Sequence, residues 1–293
     1  MKKYILKSTK SYLPYLFLAP ALLLLILTVF FPSLQSFSLS FSHYNYNLTE
    51  IPKWVGLANF NQMLRDHIFW KTLANTILIL LIVVPVLVFF SLALAILINR
   101  KLKGISWFRL SYYIPVILSV VIVGIAWKAI YSSNGIFNQI LDFFRLKEGI
   151  PWLTSPHWAI WSVMLVTVWK GLGYYMVIYL AGLQSIPKSL YEAASLDGSD
   201  GALSHWDITL PLMRPYLFLV AVISAISATK TFEEVYILTQ GGPYNSSKTI
   251  VYYIYEKAFR ELEVNYACTM GLVLFLIVLI LSLINLKLSN STQ

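Results

Sequence analysis

Six apolar stretches dominate this chain, at about residues 13–31, 72–98, 110–130, 158–183, 216–238 and 266–288. Each is long enough to cross the roughly 30 Å of hydrocarbon in a bilayer as a helix, which takes about 20 residues. No water reaches backbone groups there, and a helix pairs them within itself. The expected fold is therefore all-α, an integral membrane protein with six transmembrane helices. Pro20, Pro85 and Pro115 fall inside spans, where neighbouring helices can re-satisfy the freed carbonyls. Charged residues make up only 12% of the chain, against roughly 25% in soluble domains. No gap between spans holds a second folded domain, so residues 1–293 read as one transmembrane unit.

Orientation follows from Lys and Arg near the span ends, which cytoplasmic loops hold in excess. The N-terminal tail carries Lys2, Lys3, Lys7 and Lys10, and the 99–109 loop carries Arg100, Lys101, Lys103 and Arg109, with no acid among them. The 32–71 loop sets Lys53, Arg65 and Lys71 against Glu50 and Asp66. Both termini should be cytoplasmic. The first span exceeds a signal peptide's apolar core and has no clear small-residue cleavage site after it, so it should stay in place. The net charge of +9 is spread over loops without a run of five bases, which argues against nucleic-acid binding.

Chemistry is thinly represented. There is no phosphate-cradling GxxxxGK[ST], no HExxH, no GxSxG and no Cys/His cluster. His43, His67, His157 and His205 are scattered, and Cys268 stands alone at the head of the last span. Catalytic and metal sites are expected to be absent, so the chain is expected not to be an enzyme, and any energy source must come from a partner.

The exception to the apolar pattern lies between spans four and five, where residues 191–215 read YEAASLDGSDGALSHWDITLPLMRP. KSLYEAASLDG should be helical up to Asp197 and Gly198, because Gly takes the left-handed turn that ends a helix. Two short helices joined at Gly198 would form a polar knob, with Pro211 and Pro215 leading into span five. Glu192-Ala193-Ala194, then Gly198, then Ile208, Leu210 and Pro211 resembles the EAA loop of ABC-importer permeases at every defining position. WKGLGYYMVIYLAGLQSIP before the loop, TFEEVYILTQGGP after it and YLFLAPALLLLILTVFFPSLQSFSLSF near the start are similar to carbohydrate-uptake permeases of the maltose and glycerol-3-phosphate type. Ser199 and Trp206 depart from the usual Ala and Phe.

The resemblance implies an ABC type I importer permease, with residues 184–215 as its cytoplasmic coupling loop. It implies two cytoplasmic ATPase subunits that hold ATP and Mg, a second similar permease, an extracellular or lipid-anchored sugar-binding protein, and no cofactor in this chain. Two Ala and a Gly would let the ATPase approach closely, while Glu192 would offer it a charge. The substrate would be a sugar or oligosaccharide, or a charged solute such as glycerol-3-phosphate.

A path is suggested by polar residues inside spans, which usually face a bundle interior or water. Ser224, Ser227, Thr231 and Glu234 should share one face of span five, and Thr167, Lys170, Gly171 and Tyr174 one face of span four. Lys230 stands three and four residues before Glu233 and Glu234, a spacing for an ion pair on one helix. Tyr174 or Tyr175 could supply an aromatic platform. An ion-coupled transporter using Lys230, Glu233 and Glu234 is the competing class, although the halves show no convincing repeat. The charge bias predicts that a cysteine placed at position 200 is protected from a membrane-impermeant thiol reagent added outside intact cells. Rapid external labelling would reverse the orientation.

Overall fold

The structure, a computed structural model, describes residues 13–43, 52–100, 103–144 and 149–290. Lys2, Lys3, Lys7, Lys10 and Lys101, which carry part of the charge bias, lie outside the described residues. Helix α1 (Leu13–Leu25), a π turn at Ile26–Phe30 and α2 (Phe31–Ser40) run on as a single rod. A small ribbon follows, β1 (Ser42–His43) antiparallel to β2 (Lys53–Trp54) with Ser42 opposite Trp54. Next come α3 (Ala58–Arg65), α4 (His67–Ile98), α5 (Ile105–Ile117), α6 (Val120–Ile130) and α7 (Ile136–Phe143).

The second half holds α8 (Ala159–Ser185), α9 (Lys188–Leu196), α10 (Ala202–Ser204) and a π turn at His205–Thr209 that opens into α11 (Leu210–Thr229). It finishes with α12 (Glu233–Leu238), α13 (Ile250–Tyr255), a π turn at Glu256–Arg260 and α14 (Val264–Asn290). Among the described residues, five helical runs are long and apolar enough to cross a membrane, and α5 with α6 make a sixth if a bent pair counts as one span.

That pair corrects the continuous helix expected over 110–130. The axis turns by 102° between Ile117 and Val120, because Leu118 and Ser119 are extended, at ψ 141° and 133°. A lone Pro115 would account for a kink; the right angle is held from both sides by close packing. A Cβ on Gly173 of α8 would lie 1.9 Å from the Tyr112 carbonyl of α5, and one on Gly124 of α6 would lie 2.3 Å from Ile237 in α12. Glycine at these two places lets each arm of the elbow seat against a different neighbour.

The main core is the crossing of α4, α8 and α11, where Ile79, Val83, Leu87, Met176, Tyr179, Met213 and Val220 are buried together. A second cluster joins α6, α8 and α12 through Val123, Trp127, Val163, Val166 and Val235. The third, with Met63, Phe69, Ile250, Tyr253, Tyr266 and Met270, gathers α3, α4, α13 and α14. The short helix α13, which follows the TQGGP turn, is thus packed into the body of the protein. By contrast, α1 is exposed along its whole described length.

Polar residues fasten the third cluster. Asn59 donates to the carbonyls of Ser40 and Ser42 at 2.9 and 3.0 Å, and Thr269 donates to Ser40 at 3.2 Å. Asp66 caps α4 by accepting the Ile68 amide at 2.8 Å, and its other oxygen accepts the hydroxyls of Tyr253 and Tyr266, both at 2.6 Å. One carboxylate therefore ties the starts of α4 and α14 to α13. Burial works to raise the Asp66 pKa, but the two tyrosine hydroxyls and the Ile68 and Phe69 amides outweigh it and hold the carboxyl below its ordinary value.

A depressed folded-state pKa stabilises the fold above the unfolded carboxylate value near about 4, and the contribution is lost as pH falls through the lowered value. Asp66→Ala should lower the stability of the purified chain by about 1–3 kcal/mol at neutral pH, since it orphans two buried hydroxyls. In thermal melts the gap between wild type and variant should close on acidification. A constant gap from pH 7 to pH 2.5 would show that the ionised carboxylate is not what holds the three helices.

Candidate functional site

Two features, one just beyond the C-terminal end of α8 and one beside its middle, carry the polar chemistry that the sequence singled out. The first is the knob that follows Ser185. Helix α9 ends at Leu196 with Asp197 as its C-cap, and Gly198 stands at φ +85° with open space around it. The Ser199 amide donates to the Ala194 carbonyl at 2.9 Å and the Gly198 amide to Ser195 at 3.3 Å, the paired bonds of a Schellman helix end. The knob is then locked to the start of α11. Tyr191 and His205 both meet the Thr209 hydroxyl, at 2.9 and 3.0 Å, and Ser199 donates to the Asp207 carboxylate at 2.6 Å.

The outer surface of the knob is open. Glu192, Ala193, Asp197 and Gly198 are exposed, Ala194, Ile208 and Leu210 are half-buried, and Pro211 is exposed in the first turn of α11. Leu196 and Trp206 are 88% and 70% exposed, and Leu203 stands out beside them. The sequence reading missed this apolar face. Its signal was Trp206 and the two leucines spaced along an otherwise polar loop, and large exposed apolar surface marks a contact site.

The second feature is a pair of adjoining cavities between α8 and the α11–α12 region. One of about 360 Å³ is lined by Thr167, Lys170, Gly171, Tyr174, Tyr175, Ser227 and Glu234, with Val116 and Ile223. The other, about 350 Å³, shares Thr167, Lys170, Ser227 and Glu234 and adds Lys230, Thr231, Phe232 and Glu233. All four residues of the expected span-four face, Thr167, Lys170, Gly171 and Tyr174, line the first cavity. Tyr174 is exposed into this space and its ring lies 5.2 Å from that of Tyr175 at 81°.

Span five needs correcting. Helix α11 ends at Thr229, residues 230–232 leave helical geometry, and α12 starts afresh at Glu233. Ser224, Ser227, Thr231 and Glu234 thus share no single helix face. Ser224 is fully buried and donates to the Ala221 carbonyl, outside the cavity lining. Thr231 is buried, its hydroxyl donating to Ala228 at 2.8 Å. Its carbonyl accepts the Thr249 hydroxyl at 2.8 Å, so the loop after α12 satisfies the broken backbone.

The expected ion pair changes partner for the same reason. Lys170 of α8, rather than Lys230, faces both Glu233 and Glu234, at 3.8 Å each. Its side chain is 21% exposed and that of Glu234 is 13% exposed, whereas Lys230 is exposed and joins no ion pair among the described residues. No group of three His, Cys, Asp or Glu side chains could hold a metal among the described residues.

Comparison with known proteins adds a family. The family of binding-protein-dependent transport system inner membrane components matches residues 55–289. The sulfoquinovosyl glycerol transport system permease protein SmoG of Agrobacterium fabrum is 37% identical over 265 residues, 89% of this chain and 84% of that one. The lactose transport system permease protein LacF of Rhizobium radiobacter is 34% identical over 273 residues, 92% and 91% of the two chains. In a solved structure of a bacterial alginate ABC transporter, in complex with a periplasmic protein bound to an alginate pentasaccharide, one chain superposes with a TM-score of 0.82. The overlap covers 94% of this chain and 93% of that one at 24% identity, a likeness of fold.

The change of partner is open to a double-mutant test. Lys170→Met should lower the melting temperature of the purified chain, and Glu234→Gln in the same chain should recover much of the loss. The coupling should be about 0.5–3 kcal/mol, as for contacting groups. Lys230→Met with Glu234→Gln should be additive; coupling at Lys230 instead of Lys170 would restore the sequence expectation.

Proposed function

The chain belongs to the family of binding-protein-dependent transport system inner membrane components, and from that premise we propose that it is the permease subunit of an ATP-driven importer for a sugar or oligosaccharide. The observation that carries this reading is a juxtaposition. The exposed knob and the polar cavity are built on the same two spans, joined by the segment 184–215. A force applied to the knob would act on α8 and α11 directly. With both termini cytoplasmic, the knob faces the nucleotide-bearing side.

On this reading Glu192, Ala193, Ala194 and Gly198, with Leu196 and Trp206 beside them, meet a cleft on one of two ATPase subunits. ATP and Mg reside there, and the permease performs no chemistry of its own. Closure of the ATPases would rock this chain against a second, similar permease, and an extracellular binding protein would release its solute into the cavity when it opens outward. Residues 1–293 act as one transmembrane unit in the cell membrane.

A carbohydrate fits the cavity's chemistry, because Ser227 and Thr167 offer hydroxyls, Tyr174 and Tyr175 offer ring faces, and a few placed polar groups fix orientation in a small-molecule site. SmoG and LacF bear the names of glycoside and disaccharide carriers. The alternative substrate is an anionic solute such as glycerol-3-phosphate: Lys170 is matched by Glu233 and Glu234, but Lys230 lines the second cavity and joins no ion pair among the described residues. The ion-coupled reading is disfavoured by the family match over residues 55–289, although Lys230, Glu233 and Glu234 line one cavity.

Glu192→Lys reverses a charge at the proposed contact, and losing one member of a desolvated pair costs about 2–5 kcal/mol. Gly198→Val forces a β-branched residue to positive φ and disrupts the turn. Either variant should insert at normal abundance yet lose ATPase co-purification or substrate-stimulated hydrolysis. A Glu192→Lys, Gly198→Val double variant with wild-type stimulated hydrolysis would refute the coupling role.

A further inference from the structure

A third cavity, of about 550 Å³, lies at the base of the knob, where Ile98 ends α4, Ile105 begins α5 and Ser185 ends α8. Three span ends at one level mark the depth at which lipid headgroups sit. Trp107 and Phe108, 74% and 60% exposed at the start of α5, suit that interfacial position.

The cavity is lined by Arg100, Arg109 and Lys188 and, among the described residues, by no acidic side chain; Asn99, Gln184 and Tyr191 add neutral polar groups, and Ile105, Leu183 and Ile186 close its apolar side. Three like charges gathered in one recess repel one another unless an anion joins them. Arg109 gives a sharper indication. One of its terminal nitrogens donates to the Ile98 carbonyl at 3.1 Å, which fixes the guanidinium at the wall, while its buried Nε has no hydrogen-bond partner among the described residues. A buried donor on a cation left unpaired is costly, and an anionic oxygen would satisfy it.

We propose that this recess binds a phosphate-bearing anion, foremost the headgroup of an anionic phospholipid in the leaflet that the 188–209 loop faces. Arg100, Arg109 and Lys188 neutralise the phosphate, and the apolar wall receives the start of the acyl chains. Basic pockets between span ends recognise such headgroups. Because Lys188 opens α9, a bound headgroup braces the helix that carries Glu192 against the ends of α4 and α8. The effect on coupling rests on the function proposed above; the binding site does not.

The test uses the full chain purified in detergent and offered equal amounts of phosphatidylglycerol and phosphatidylcholine, with retained lipid counted by native mass spectrometry. Wild type should keep phosphatidylglycerol in preference. The variant R100Q/K188Q, which leaves the Arg109 anchor in place, should bind it about 30-fold more weakly with an unchanged melting temperature. Displacement of the lipid by millimolar inorganic phosphate, or phosphate binding without lipid preference, would support the anion site and assign it a soluble source. Equal retention of both lipids with no phosphate binding, or undiminished phosphatidylglycerol binding by R100Q/K188Q, would overturn the proposal.

Discussion

In hydrocarbon every backbone amide and carbonyl needs a partner inside the protein, and the architecture follows from where the chain obeys that demand by helix and where it departs from it. The departures are few. Leu118 and Ser119 are extended at the elbow, between arms pressed onto α8 and α12 at Gly173 and Gly124. Residues 230–232 break span five beside the polar cavity, where the Thr249 hydroxyl takes up the Thr231 carbonyl. Irregular backbone is tolerated at such depth only where protein or a water-lined space covers it.

The long loop after α12 serves that purpose. Residues 239–249 turn through Gln240, Gly241, Tyr244 and Asn245, all at positive φ, and fold back on α4. Asn75 donates to the carbonyls of Asn245 and Lys248 at 3.0 and 2.9 Å, and the Thr76 hydroxyl accepts the Ile250 amide at 3.0 Å. A segment outside the spans thus supports a break inside one, which places Phe232, Glu233 and Glu234 against Lys170. Charge inside a span is costly, and here it is met across two helices rather than along one.

Periodicity reached the face of α8 correctly because that helix is continuous for 27 residues, so spacing translates directly into direction. It failed for span five because helical spacing was extended through a break that leaves no mark in apolarity: Lys230, Thr231 and Phe232 are ordinary residues for a helix. The elbow at 118–119 was hidden in the same way, since Pro115 announces a kink but the glycines that permit a right angle lie on α6 and α8. The knob was legible for the opposite reason. Its turn depends on a local requirement, a residue free to take positive φ at Gly198, and local requirements are written in sequence.

Sequence by itself determined that this chain lives in a membrane as helices, that a polar knob with an Ala-Ala pair and a Gly turn interrupts it, and that span four has a polar face, because apolar length, helix period and glycine geometry act within a few neighbouring residues. Tertiary structure decided which cation faces Glu233 and Glu234, where span five breaks, that Asp66 gathers three helices, and that Arg100, Arg109 and Lys188 share one recess. Those outcomes join residues from tens to two hundred positions apart, and only the packing of one helix against another selects such partners.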